Sequence, residues 1–513
     1  MNRLNNQNGI VLPMVLAIIL IVTILGFAAM SVAENQTIMV SRHQQREQAL
    51  HYAEAGINCY MSELNKSPYS NYSAPANATA FEDGYYQLTI TAPDVENPYV
   101  RVTSTGWHKN SENIKRTVEV KLHKKQFVQN LMTSNVGNDL IWYTRRFMRG
   151  DIINGPLHVN GDLVVDGFHG DGQIGPVFTG PVTYSGNFRS ISAVGELLNI
   201  IDVLNWIPDL NNTTDFQAGT PVKVDRMGMP ASNQLLAEKA DADYVFTGRT
   251  CIHLRDDKLK IVNKGTTYDN LPLPPNKIIY VKGGIGNNKW DYNTANVYVS
   301  GTLNGQLSIV AENDIYITAT DPTVWNKPSD TPPANGGIYY HDLESIDEIT
   351  NQDYLDSQLA KCDDMLGLIA NRNVRILHYN WPRGSSPFYY KKSSLTHYDV
   401  APKNMNVFAS IYAVTGSFEY EAHDQGGKKG NLTVVGSITQ YKVGPTAGFG
   451  PNLLDSERWD LLHERKSGYG RNYWHDTRLM YEMPPHFLEP TNNGWEIVEW
   501  QEVSNPVVAE PEP

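Results

Sequence analysis

The stretch Ile10–Met30 (IVLPMVLAIILIVTILGFAAM) is an uncharged, almost wholly apolar run, and Gly9 stands immediately before it. About 20 apolar residues are enough to cross a bilayer as a helix. Only Pro13, Thr23 and Gly26 interrupt the run, and no charge occurs between Arg3 and Glu34. The chain is therefore inserted in a membrane or begins there. A cleaved secretory signal fits poorly. Such a signal has an apolar core of roughly 7 to 15 residues, behind a basic region and ahead of a small-residue cleavage site. Here the core is longer, and the leader MNRLNNQNG carries only Arg3.

Helical character continues through SVAENQTIMVSRHQQREQALHYAEAGINCYMSELNK, rich in Ala, Gln, Glu, Leu and Met and free of proline. Ile38, Ala49, Ala53, Ile57 and Leu64 recur loosely at helical spacing. From Leu12 to Leu64 this predicts one helix of roughly 80 Å. Its first half is lipid-soluble and its second half amphipathic. Pro13 falls in the first turn, where a missing N–H breaks no helical bond.

A short polar leader ending in Gly, an apolar half-helix and an amphipathic half-helix form the layout of type IV pilin-like proteins. The chain resembles the PilX-type minor pilins most. The resemblance rests on Gly9-Ile10-Val11-Leu12 and on Gln48-Ala49-Leu50-His51-Tyr52-Ala53-Glu54-Ala55-Gly56-Ile57, which is similar to the Q-A-x-x-x-A-E-A-G signature of that group. It implies a processing site between Gly9 and Ile10, cut by a prepilin peptidase. The family signature residues are then Ala53, Glu54, Ala55 and Gly56. Pilins of the major kind carry Glu at the fifth mature position, and here that position is Met14. A lone carboxylate inside a membrane costs a few kcal/mol, so its absence sets this chain apart from the main fibre subunit. It favours a minor, initiating or tip subunit. The plain alternative is an uncleaved signal anchor on an unrelated surface protein.

The 513 residues are 41% hydrophobic, with 40 Gly, 28 Tyr and a formal net charge of −13. Lys and Arg are not clustered, so nucleic acid is excluded as an expected partner. Cys59, Cys251 and Cys362 lie far apart with no CxxC, which argues against a zinc site and leaves a Cys251–Cys362 disulfide open.

Along the chain, residues 1–9 read as a leader, 10–66 as the long helix and 67–80 as a Ser/Pro/Asn/Ala linker. Tyr85–Thr91, Val100–Trp107 and Ile114–Leu122 alternate apolar with polar residues and predict an antiparallel meander within 81–124. From 150 to 500 the texture becomes short strands cut by Gly and Asn-Gly turns, as in DIINGPLHVNGDLVVDG, ANVYVSGTLNGQLSIVAENDIYITAT and NMNVFASIYAVTGSFEY. Short apolar strands with tight turns suit a β-solenoid, a parallel β-helix-like head. No strict repeat period accompanies them. The expected fold class is α+β, mostly β. A partly helical insertion is expected over about 188–275, with Ala193–Leu204 and Ala231–Ala242 as helices. Asp353–Met365 and Leu454–Lys466 also read as helical. The tail 504–513 is acidic, Pro-rich and expected to be disordered. GPLHVNGDL, LSIVAENDIYIT, LGLIANRNVRI, NLTVVGSITQ and YGRNYWHDTRLMYEMPPHF resemble an exported bacterial domain that follows PilX-like N-termini. That likeness speaks to family and not to activity.

Candidates for chemistry are sparse. His158, His169 and His475-Asp476 lack any metal-binding spacing and read as turn hydrogen-bonders. Asp363-Asp364 and Asp256-Asp257 are adjacent pairs, which point to opposite faces of a strand. With Asp241 and Asp243 they are the only carboxylate pairs for a polysaccharide hydrolase or lyase, so no enzyme is expected. Asp162, Asp166 and Asp171 offer oxygen ligands for calcium, yet no EF-hand or nonapeptide repeat surrounds them, and no cofactor is expected. Tyr339-Tyr340, Trp381, Tyr389-Tyr390, Tyr441, Tyr469, Tyr473 and Trp474 could form a glycan-binding adhesin surface or cover the coil. The leading expectation is a minor pilin-like structural subunit of a type IV pilus or type II secretion-like filament. It would be a single-pass protein of the bacterial cytoplasmic membrane, with its head outside. Its partners would be other pilin-like subunits, a prepilin peptidase and an inner-membrane assembly platform.

Overall fold

The computed structural model describes residues 11–66, 73–93, 97, 99–137, 147, 151–168, 175–192, 214–324, 332–343, 349–380, 398–450, 464–492 and 494–503. Gly9, Ile10, His169, Asp171, Ala193–Leu204 and the 504–513 tail lie outside them. The chain forms two compact units, one of residues 1–124 with 494–513 and one of residues 125–493.

In the first unit a single helix, α1, runs over Val11–Lys66, within two residues of the predicted ends. Its buried side is Ala49, Tyr52, Ala53, Gly56, Ile57, Tyr60 and Leu64. Steps of three and four place these on one stripe. The stripe packs on Leu88, Val100, Val102, Val118, Val120 and Leu122, every second residue of the strands β2 (Gly84–Thr91), β3 (Val100–His108) and β4 (Lys115–Lys124). The expected meander is present, with two additions. A short strand β1 (Thr79–Phe81) falls in the expected linker, and the strand Trp495–Val503 closes the other edge. That closing strand pairs antiparallel with β4, Trp495 opposite Lys124. Charge pairs accompany the ladder: Arg116 binds Glu502, and Lys121 reaches Glu499 at 2.7 Å. Residues 495–500, expected in the head, therefore belong to the first unit.

The second unit is built from parallel ladders. One column runs Ile279, Ile309, Leu368, Ile411, Ile438, Met132, Leu157, Val182 in register, and all eight are buried. A second runs Ile338, Val407, Val434, Tyr473, Ile153, Phe178, Phe216. A third runs Ile252, Val299, Ile317, Ile376, Tyr420. Stacked parallel strands bury apolar residues toward a common core, here one large cluster.

The order of these columns in space is not the order of the chain. The chain enters at β5 (Met132–Ser134), beside the strand Lys428–Gln440. It continues through β6 (Ile152–Asn154) and β7 (Leu157–Val159) to Val222–Lys223. It then crosses to the opposite end and returns through Val245–Thr247 to Glu464–His475. The crossing segment lies along the outer face. Met227 binds Asn160, the Tyr412 hydroxyl donates to the Met229 sulfur, and the Asn233 amide donates to the carbonyls of Ala311 and Ile369. So Ala231–Ala242, expected as a helix, is two 3-10 turns, Gln234–Lys239 and Ala242–Tyr244. Asn233 is committed to the ladder carbonyls instead of capping a helix.

Among the described residues of the expected 188–275 insertion, those from 245 to 272 are mostly strand. Thr250–Asp256, Lys258–Asn263 and Thr266–Pro272 form antiparallel pairs. The helix near 353 spans only Gln352–Leu359, capped by the Asn351 side chain on the Tyr354 N–H, and Met365–Ala370 is a fully buried strand. Of the stretch Leu454–Lys466, expected as helical, residues 454–463 lie outside the described residues, and 464–466 open the strand Glu464–His475. Cys251 and Cys362 are free thiols, buried in different clusters, so the disulfide is not formed.

A local repeat does exist. GPLHVNGDL at 155 and GPVTYSGNF at 180 superpose at 25 residues, seen in the bonds His158–Thr183 and Asn187–Asp162. Elsewhere neighbouring strands are 59, 44 or 27 residues apart. Excursions of unequal length between strands hide the period.

Because Lys124 and Trp495 are register partners, the second unit is an insertion at one end of a strand pair. Replacing residues 125–494 with Asn-Gly, a two-residue hairpin turn, is expected to leave a folded first unit. Helical circular dichroism with a cooperative thermal transition checks it.

Candidate functional site

The surface that distinguishes this chain is α1. From Val11 to Gln44 every residue is exposed, and the helix is long and apolar enough to cross a membrane. Met14 is 63% exposed and places an uncharged thioether on this apolar stretch. Two of the hydroxyls on this stretch are bonded within the helix. Thr23 donates to the Ile19 carbonyl and Thr37 to the Ala33 carbonyl, each one turn back. A polar group facing hydrocarbon must be satisfied within its own segment, and these are.

The second half of α1 explains the signature. Ala53 is fully buried against β3. A Cβ on Gly106 of β3 would overlap the backbone of Ala53 and Ala49. A Cβ on Gly56 would sit 2.6 Å from the Ser104 hydroxyl and 2.8 Å from the Tyr86 ring. Ala53 and Gly56 thus let the helix backbone lie directly on the sheet. Ala55 is half-buried and flanks the seat. Glu54 is half-exposed and lies 3.6 Å from His51; an exposed pair of this kind contributes little. Gly106 was not singled out from the sequence, although a glycine inside the alternating run VRVTSTGWH signals a close backbone approach. Gly106→Ala is expected to destabilise the first unit by about 1–3 kcal/mol through overpacking, read from urea unfolding.

The titratable candidates of the head are mostly structural. His158 is buried between the Thr183 hydroxyl at 2.9 Å and the Asn160 side chain at 2.8 Å. His475 bonds the Val128 carbonyl at 2.9 Å, and Asp476 binds Arg478. Asp162 accepts the Asn187 N–H and lies 3.7 Å from Arg189. Asp166 has no described side chain, so a calcium trio is not assembled among the described residues. The carboxylate pairs do not converge. Asp256 binds His341 and Asp257 binds Lys258. Asp363 is exposed while Asp364 is buried, and Asp241 and Asp243 flank a turn. Of the aromatic set, Tyr340, Tyr469, Tyr473 and Trp474 are buried. Tyr339 is half-buried and bonds Asn406, and Tyr441 is 40% exposed. Trp381, Tyr389 and Tyr390 lie outside the described residues.

One grouping escaped the sequence reading. Asp342, Cys362 and Asp364 bring two carboxylates and a thiol within 4.8 Å, and could hold a metal ion by donor type. The Asp364 carboxylate accepts the N–H of Gly305 at 2.6 Å and of Asp342 at 3.3 Å, with the Cys362 thiol at 3.6 Å. Burial pushes the Asp364 carboxyl up and the Cys362 thiol to about 12. Arg478 donates to the carbonyls of both residues. These bonds join the turn at 341–343 to the strand Met365–Ala370.

Burial pushes the His158 and His475 imidazoles below their ordinary value. Their neutral forms favour the folded head, so this stabilisation is complete above about pH 6.5, the unfolded value. It is lost as pH falls from there toward the lower folded value. The head's unfolding midpoint is expected to drop between pH 7.5 and 5.5. His158→Gln with His475→Gln should flatten that slope in thermal scans.

No protein-family model matches the chain, and no curated protein does. Among solved structures the chain is similar to a competence-associated pilin, ComZ, from Thermus thermophilus. The TM-score is 0.26 and the identity 9%, over 90% of this chain and 97% of that one. A superposition so loose carries no argument about architecture or activity.

Proposed function

We propose that the chain is a minor pilin-like subunit of a type IV pilus or type II secretion-like filament. In this reading it displays its large β-rich head, a β-solenoid, at or near the tip. The observation that carries it is α1. One half seats on a small antiparallel sheet through Ala49, Ala53 and Gly56, and the other half is apolar and exposed among the described residues. An isolated membrane anchor needs only the apolar half. A filament subunit needs both halves in one rigid helix, because the apolar half must leave lipid and pack among neighbours.

The role works by assembly and needs no catalytic group or cofactor. In the membrane, van der Waals packing and lipid contacts balance closely. A helix with no intramembrane charge, as Met14 ensures, moves between the two at little cost. Without a carboxylate at that position the chain is suited to a terminal place more than an interior one. Prepilin peptidase would expose Ile10 as the N-terminus, an inner-membrane platform would extract the helix, and the head would face away from the cytoplasm. An adhesin built on aromatic loops is less favoured, since Tyr340, Tyr469 and Tyr473 serve the core.

N-terminal sequencing of the protein from cells that assemble such filaments tests the reading. The expected first residue is Ile10, with Gly9→Val blocking the cut. A chain that still begins at Met1 rules out pilin-type processing.

A further inference from the structure

The parallel ladder joins two halves of the head that are remote in sequence. The strands between Met132 and Lys223 form one half, and those between Val245 and His475 form the other. They meet along two strand pairs, β5 with Lys428–Gln440 and β6 with Glu464–His475. This junction differs in chemistry from its neighbours. Thr133 faces Thr439 in register, and Ser134 faces Gln440. The hydroxyls of Thr133, Ser134, Ser437 and Thr439 and the Gln440 amide nitrogen are buried and meet no hydrogen-bond partner among the described residues. The second strand pair is held by polar contacts too. Arg471 pairs with Asp151 at 2.7 Å, and the Asn154 amide donates to the Tyr473 carbonyl at 3.1 Å. At the corresponding step between Gln306–Ala311 and Met365–Ala370 the partners include Leu307 with Leu366, Ile309 with Leu368 and Val310 with Ile369, and the Ser308 hydroxyl there is bonded to the Pro485 carbonyl.

The covalent connections of the first half are also distinctive. The entry segment Phe127–Gln129 packs on the second half, Phe127 lying edge-on to Tyr412 at 5.4 Å. On the way out, Met227 is bound to Asn160 of the first half, while Met229 is bound to Tyr412 of the second. Gly228 stands between them, its N–H donated to Asn492 and its carbonyl accepting from Thr491. The two connections lie side by side, with the Asn130 amide 3.9 Å from the Met227 sulfur.

We propose that the head opens at this junction. The half containing β5, β6 and β7 swings as a body about a paired hinge at Asn130 and Gly228. A buried polar group without a partner disfavours the closed state, and opening to water restores its bonds. Local opening follows the least stable contiguous boundary, and this boundary has two adjacent pivots. Each half keeps its own connection to the first unit, so opening requires no unthreading.

Hydrogen exchange on the full-length protein in detergent tests the proposal, read by mass spectrometry. Peptides covering β5, β6 and β7 are expected to exchange together, at least ~10-fold faster than those covering Gln306–Ala311 and Met365–Ala370. Thr133→Val with Thr439→Val removes the facing hydroxyls at nearly constant volume and is expected to slow exchange at the junction. A Thr133→Cys, Thr439→Cys pair sits on neighbouring strands about 4.8 Å apart, within disulfide reach. Oxidised, it should bring the junction to the protection of the apolar ladder, and reduction should release it. Equal protection across the head overturns the proposal. So does faster exchange in the valine pair, or a disulfide that leaves exchange unchanged.

Discussion

The in-register contact between Ile438 and Met132 is the constraint on which the head depends. It joins a strand near the start of the second unit to one near its end, and it makes one apolar column out of two. Burial of each such side chain stabilises by about 1.5–3 kcal/mol. A buried hydroxyl with no partner costs about 1–3 kcal/mol. Along Ile279, Ile309, Leu368 and Ile411 the apolar contribution is unopposed. Beside Ile438 and Met132 the hydroxyls of Thr439 and Thr133 oppose it. The same column that unifies the head is therefore least secure where it crosses between remote parts of the chain.

The first unit obeys a different constraint. A helix of 56 residues has one stripe to bury, and it buries only the C-terminal part. There the glycines at 56 and 106 let backbone approach backbone, so the seat is decided by shape more than by apolar bulk. The closing strand Trp495–Val503 completes the sheet after the whole head has been traversed. The chain passes between the two units at the ends of β4 and its partner strand.

Much of this was legible. The apolar run and the amphipathic stripe at 49, 53, 57 and 64 specified α1 nearly to the residue. Alternation in YYQLTIT and VRVTSTGW specified β2 and β3. The buried histidines proved to be hydrogen-bonded turn and strand residues, as their isolation from any metal spacing implied. Other features were misread for physical reasons. Ala231–Ala242 has helical composition but folds as two short turns, because Asn233 is bonded to ladder carbonyls, and Thr250–Pro272 pairs as strands because its partners at Val297–Leu303 supply the ladder. The aromatic residues left open between a binding surface and a covering role divide: Tyr340, Tyr469, Tyr473 and Trp474 are buried, and Tyr441 is exposed. The 25-residue repeat was present in the letters but shared by only two coils.

The sequence by itself determined the elements whose cause is local: a helix set by apolar periodicity and the absence of breakers, and strands set by alternation and glycine turns. It also determined that the first half of the helix is long, apolar and uncharged enough to cross a bilayer. Tertiary structure alone decided which strand lies beside which. Many strands of the head are short, apolar and buried along their length, so apolar pattern alone cannot choose among partners. The choice follows from how side chains fit across a ladder and from where the excursions between strands let the chain return. That is why Met132 meets Ile438, and why Lys124 meets Trp495.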